Sequence, residues 1–124
     1  MAEAASSSLL AVAEDAEMTD DVLLRLAATI SARRADRAEK SYTRQLLEAG
    51  PARCAKTFGE EAVEAVIAAT AQSDAELKAE AADVLYHLLV LLESRNVALA
   101  DVLAVLEGRM GTSGLAEKAS RVNS

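Results

Sequence analysis

Glu60-Glu61-Ala62-Val63-Glu64 and, sixteen residues beyond Glu64, Glu80-Ala81-Ala82-Asp83 set carboxylates into stretches whose other residues favour burial. This constrains the chain more than any other feature. Carboxylates rarely enter an apolar interior without a partner, and isolated burial costs several kcal/mol or forces protonation. Five of them converging would also repel one another. A divalent cation is the natural partner, so the two clusters form a candidate active site.

The surrounding residues are helix formers. Apolar residues make up 52% of the 124 positions but aromatics only 2%, namely Tyr42, Phe58 and Tyr86, and alanine and leucine dominate. A chain of this length makes about one domain. The alanine- and serine-rich first seventeen residues read as an N-terminal mobile arm, and residues 18–124 as a single helical domain. Thr19 is placed to cap a first helix, with Met18 stapled onto Leu23. Val22, Leu23, Leu26, Ala27 and Ile30 give that helix one apolar face, ending near Arg34.

A basic stretch from Arg33 to Arg44 follows, then a short helix through Leu46 and Leu47 that stops at Gly50. Pro51 suits the first turn of a helix running to about Ala71. Ser73-Asp74-Ala75-Glu76 has the capping-box pattern and opens a helix to about Arg95, with Asn96 as its stop. A last helix spans about Leu99 to Arg109. No segment has strand periodicity and no internal repeat occurs. The fold class is all-α, a helical bundle of four to five helices.

At 100° per residue, Glu60, Glu61 and Glu64 fall within an arc of about 100°, with Lys56 one turn earlier at its edge. A lone E-E-x-x-E is ordinarily a solvated face. Here the stripe turns apolar one turn later, at Ile67, Ala68 and Ala71. In the next helix Glu76, Glu80, Asp83 and His87 form a narrow polar stripe on a segment, Ala81 to Leu92, that is otherwise apolar almost all round. Such a segment implies burial, and Asp83 within it needs a partner. A short turn at Gln72–Asp74 would set the pair Glu61/Glu64 opposite the pair Glu80/Asp83. Four inward carboxylates make an oxygen-only site suited to Mg²⁺, with Mn²⁺ as a substitute.

Other metals fit less well. Di-iron bundles use Glu-x-x-His on paired helices, and His87, the only histidine, has Val84 three residues before it. Zinc prefers several His or Cys ligands, and the chain has one of each. Mg²⁺ bound by carboxylates usually bridges to substrate phosphates. Lys56, Arg33, Arg34, Arg37, Lys40 and Arg44 are available to clamp phosphate oxygens, although charge patterning reads the basic stretch equally well as a solvated loop. His87 is more readily a hydrogen-bonded structural histidine than a base, and Cys54 a small core residue rather than a nucleophile. Gly59 inside a helix costs about 1 kcal/mol against alanine, which close backbone packing or substrate approach would explain.

Composition excludes several function classes. A net charge of -7 argues against a general nucleic-acid binder. No apolar run reaches transmembrane length, so no membrane partner is expected. A leader without Lys or Arg lacks the marks of a secretion signal or transit peptide, and a single cysteine fits a reducing compartment. The expected location is cytoplasmic.

Ser41-Tyr42-Thr43, Lys56-Thr57-Phe58-Gly59-Glu60-Glu61-Ala62-Val63-Glu64 and the run from Glu80 to Leu92 together resemble the phosphoribosyl-ATP pyrophosphatase (pyrophosphohydrolase) family of histidine biosynthesis. The tail from Ser113 to Arg121 is similar to that family's C-terminus. The match spans roughly Val22 to Arg121. The acidic motifs alone would indicate only the wider all-α, MazG-like nucleotide pyrophosphatase superfamily, whose house-cleaning nucleoside triphosphate hydrolases are the alternative reading. A non-catalytic helical interaction module is a second alternative.

The resemblance implies Mg²⁺-dependent hydrolysis of phosphoribosyl-ATP to phosphoribosyl-AMP and pyrophosphate by a homodimer. It implies Glu61, Glu64, Glu80 and Asp83 as metal ligands, with Glu60 as a further ligand or the group orienting water. Lys56 and the Ser41–Arg44 region, including Tyr42 and Arg44, would then contact phosphate and ribose. Phe58 and Gly108-Arg109-Met110 depart from the family's pattern, as does the long leader. With no cyclohydrolase segment, the chain is expected to perform this one step alone.

Overall fold

A computed structural model of the chain describes residues 22–110, and among these every regular element is helical. Residues 22–32 are helical (α1). Single 3-10 turns follow at Arg33–Ala35 and Ala38–Lys40, then α2 at Tyr42–Ala49, α3 at Pro51–Ala71, α4 at Asp74–Ser94 and α5 at Leu99–Arg109. The expected capping at Thr19, the staple from Met18 and the tail Ser113 to Arg121 lie outside the described residues.

Local chemistry sets the boundaries. The Ser41 side chain accepts a hydrogen bond from the Arg44 N–H at 3.1 Å and so caps α2. Gly50, at φ 98°, makes the turn into α3, a left-handed conformation that a side chain would strain, and Pro51 then occupies the first turn. Ser73 caps α4 by accepting from the Glu76 N–H at 3.3 Å, while its hydroxyl donates to the Glu76 carboxylate at 3.1 Å. Asn96, at φ 57°, follows the end of α4 in the left-handed region that asparagine tolerates, as its sequence position implied.

α3 and α4 form the central antiparallel hairpin, turned at Gln72 and Ser73. Cys54, Leu89 and Val90 lie in the main core with Ile30 of α1 and Leu46 and Leu47 of α2. Leu23, Leu26, Leu92 and Leu99 pack around this cluster. The core therefore gathers at the end of the hairpin where α3 begins and α4 finishes. Arg34 ties α1 to that same end, donating to the Glu93 carboxylate and main-chain carbonyl and, at 3.1 Å, to the Asn96 side-chain carbonyl.

One expectation is corrected here. The apolar run of α4 implied burial all round, yet only His87, Leu89 and Val90 are buried, while Ala81, Ala82, Asp83 and Leu85 are exposed. Within one chain the first half of α4 has α3 alone as a close helical neighbour, so its outer faces stay open. α3 shows the same pattern. Val63 and Val66 are 57% and 61% exposed, and both point away from the face that meets α4.

Candidate active site

On α3 the less exposed residues Cys54, Thr57, Glu61, Ala65 and Ala68 follow one helical stripe, and on α4 Glu80, His87 and Val90 do, with Glu76 and Asp83 exposed along the same line. The α4 stripe is apolar at the core end of the hairpin and acidic farther along, whereas the α3 stripe is acidic at Glu61, between Cys54 and Thr57 on one side and Ala65 and Ala68 on the other. Packing the apolar ends together therefore brings the acidic parts face to face. One carboxylate oxygen from each of Glu61, Glu80 and Asp83 lies within 4.8 Å of the others, with Glu61 and Glu80 half-buried and Asp83 exposed.

The arrangement is electrostatically unfavourable by itself. Partial loss of solvation, then the negative charges of Asp83, Glu61, Glu64 and Glu76, hold the Glu80 carboxyl above its ordinary value. Glu64 thus stands within range of Glu80's charge but outside the three-oxygen group. The expected set of four is present as three convergent oxygens with a fourth carboxylate nearby. Glu60 is exposed, about 100° around α3 from Glu61, and its charge is felt by Tyr42.

The basic candidates divide. Lys56 is exposed and lies about 140° around α3 from Glu61, nearer to Glu60 than to the cluster. Arg44 pairs with Glu48 at 3.7 Å, and Ser41 spends its hydroxyl on the α2 cap. Arg33 pairs with Asp36 at 3.1 Å. Arg34, one of the arginines available as a phosphate clamp, instead holds the end of α4, about 15 Å of helix from Asp83. Arg37 pairs with Glu39 at 3.2 Å. Within this chain Arg33, Arg37 and Arg44 make local surface pairs, and the Arg34 tie is structural.

Tyr42 does reach the acidic site. Its ring meets His87 edge-on at 6.2 Å, and its phenol is held above its ordinary value by partial burial and by Tyr86, Glu61 and Glu60 against the opposing Arg53. Thr43 and Tyr86 share a hydroxyl–hydroxyl hydrogen bond beside it. The sequence reading found Tyr42 but passed over Tyr86. The available signal was its place three residues after Asp83, on the same side of α4. Cys54 is buried and donates from Sγ to the Leu46 carbonyl at 3.2 Å, and burial pushes its thiol up. That is a core residue, not a nucleophile.

The chain is similar to known proteins over most of its length. The profile of the family described as phosphoribosyl-ATP pyrophosphohydrolase matches residues 23–110, which include every residue of the site. The chain is 60% identical over 100 residues to the phosphoribosyl-ATP pyrophosphatase of Cereibacter sphaeroides, covering 81% of this chain and 97% of the relative. It is similarly 60% identical to that of Dinoroseobacter shibae, covering 81% and 98%. A phosphoribosyl-ATP pyrophosphatase 1 from Rhodopseudomonas palustris is 58% identical over 96 residues, covering 77% and 90%.

The raised Glu80 value fixes the sign of a pH effect. Without metal, the folded chain holds the Glu80 proton more tightly than the unfolded chain does. Stability therefore falls as pH rises from the ordinary glutamate range, about 4.3, through the raised value, and stays lower above it. Melting curves of metal-free protein should show that fall, and Glu80→Gln should reduce it. An unchanged profile in the variant would show that Glu80 is not under this repulsion.

Proposed function

The chain belongs to the phosphoribosyl-ATP pyrophosphohydrolase family, and from that premise we propose that it hydrolyses phosphoribosyl-ATP to phosphoribosyl-AMP and pyrophosphate, using Mg²⁺ held by Glu61, Glu80 and Asp83. The supporting observation is the convergence of those three carboxylates within 4.8 Å. An oxygen-only donor set fits Mg²⁺ or Mn²⁺, and the negative charge around Glu80, which after lost solvation helps to raise its carboxyl, is of the kind that a bound dication relieves. Bound there, Mg²⁺ supplies charge neutralisation for the phosphate chain and polarises the attacking water.

The chain's own residues account for the remaining tasks. Glu64 adds negative charge next to the ligands and serves as a fourth ligand or a supporting carboxylate. Glu60, lying outside the three-oxygen group, is disposed to accept a hydrogen bond from water and orient it. Water adds to one phosphorus of the α–β anhydride, the bond from that phosphorus to the bridging oxygen breaks, and phosphoribosyl-AMP and pyrophosphate separate, with the proton lost by the water passing to solvent. Lys56 and Arg44, both at the surface, are the candidates for the outer phosphate and ribose contacts.

The active unit we propose is a homodimer. Val63, Val66 and Ile67 form an exposed apolar strip on the side of α3 away from α4, and isolated helical hairpins seldom leave such strips open. Gly59 lies on that strip, and a Cβ there would meet nothing within 4 Å in this chain. Its missing side chain therefore serves no contact inside the chain and suits close approach by a second copy. Residues from that copy would also complete the shell around the exposed Asp83. Among the described residues no helix is long and apolar enough to cross a membrane.

Product analysis tests the reaction. Pyrophosphate should be released from phosphoribosyl-ATP with Mg²⁺, faster than from ordinary nucleoside triphosphates and not with chelator. Asp83→Asn should lower kcat/KM by more than the 10–100-fold typical of losing a supporting contact, with helicity intact. Full activity of that variant in Mg²⁺ buffer would exclude Asp83 as a ligand. In sedimentation experiments, Val66→Glu should shift the wild-type dimer toward monomer. A wild-type monomer, or a variant that associates equally well, would contradict the dimer.

A further inference from the structure

Two of the chain's three aromatic residues, Tyr42 and Tyr86, both meet the His87 ring near the carboxylates, and the reaction as outlined gives neither a task. Tyr86 is half-buried on α4, and its phenol is hydrogen-bonded to the Thr43 hydroxyl on the first turn of α2. His87 is buried, with its ring edge-on to Tyr86 at 4.9 Å and to Tyr42 at 6.2 Å. Asp83, Tyr86 and His87 are i, i+3 and i+4 on α4, so this contact lies one turn from a proposed metal ligand. Tyr42 is 54% exposed although it is fixed at its inner edge.

α2 is only eight residues long and would not hold its shape alone. Its C-terminal half is anchored by buried Leu46 and Leu47. Its first turn has the Ser41 cap and the Thr43–Tyr86 bond. The cap sets the helix start, and the Thr43–Tyr86 bond joins that start to α4 beside the edge-on contact of Tyr42 with His87.

We propose that Thr43 and Tyr86 are positioning residues, whose hydroxyl pair, backed by His87, holds the exposed Tyr42 phenol at the rim of the Glu61–Glu80–Asp83 cluster to donate a hydrogen bond to the substrate's phosphate chain. The inference rests on the reaction proposed above. A neutral donor suits this place: a lysine or arginine there would pair with the neighbouring carboxylates, whereas a phenol stays available to a phosphate oxygen. Partial burial, and after it the charges of Tyr86, Glu61 and Glu60, also favour the protonated phenol, which is the form able to donate.

Steady-state kinetics with phosphoribosyl-ATP at saturating Mg²⁺, joined to amide hydrogen exchange in the first turn of α2, test this. Tyr86→Phe and Thr43→Val should each speed that exchange and raise KM about tenfold, on the scale of one hydrogen bond to a charged group, with kcat within about twofold. Tyr42→Phe should raise KM to a similar extent without changing the exchange. Thr43→Ser, which keeps the hydroxyl, should stay close to wild type, and the Tyr86→Phe/Thr43→Val double variant should be no worse than either single one. Faster exchange with an unchanged KM would make the pair merely structural and overturn the proposal, as would additive losses in the double variant. Wild-type protein that does not turn over phosphoribosyl-ATP would overturn the reaction itself, and the positioning role with it. Wild-type turnover with normal KM in Tyr86→Phe would overturn the positioning role alone.

Discussion

The antiparallel packing of α3 on α4 carries the rest of the structure, because carboxylates continue the apolar core end of each contact stripe: Glu61 one turn beyond Thr57 on α3, and Asp83 and Glu80 before His87 on α4. Burial of Cys54, Leu89 and Val90 with Ile30, Leu46 and Leu47 is favourable and fixes the register. The same register brings Glu61 against Glu80 and Asp83, which is unfavourable in the absence of a cation. Sliding the helices to separate the charges would break the apolar end. The fold therefore holds three like charges together by contacts made elsewhere along the same two helices.

The smaller elements serve that hairpin. The Arg34 tie to Glu93 and Asn96 fastens α1 to the end of α4, where the Glu93 carbonyl accepts from Arg34 as well as from the Asn96 N–H. α2 crosses the hairpin with its buried leucines toward the core and its first turn against Tyr86 and His87. The consequence for function is spatial: the one exposed aromatic near the acidic site is presented by the shortest of the described α-helices, and that helix is held by its neighbours rather than by its own length.

Much of this was legible in the residues. Ser73-Asp74-Ala75-Glu76, Pro51, Gly50 and Asn96 mark helix ends through local chemistry, and local chemistry does not depend on the rest of the chain. The i, i+3 spacing of Glu61/Glu64 and Glu80/Asp83 placed each pair on one helical side. Which three oxygens converge was not legible, since that depends on helix register and on rotamers. The Arg34 tie was hidden for the same reason, spanning 59 positions of sequence to Glu93. The burial expected for Ala81 to Leu92 failed because hydropathy reports a wish for burial without saying what supplies it. Val63, Val66 and Leu85, exposed in the single chain, show the same unmet wish.

Anomalous scattering from crystals of the protein grown with Mn²⁺ tests the proposed cation site at Glu61, Glu80 and Asp83. A Mn²⁺ peak is expected between those three side chains, at carboxylate distances, and should be lost in Asp83→Asn crystals. A Mn²⁺ peak elsewhere on the protein, or none among these carboxylates with the ion in excess, would contradict it.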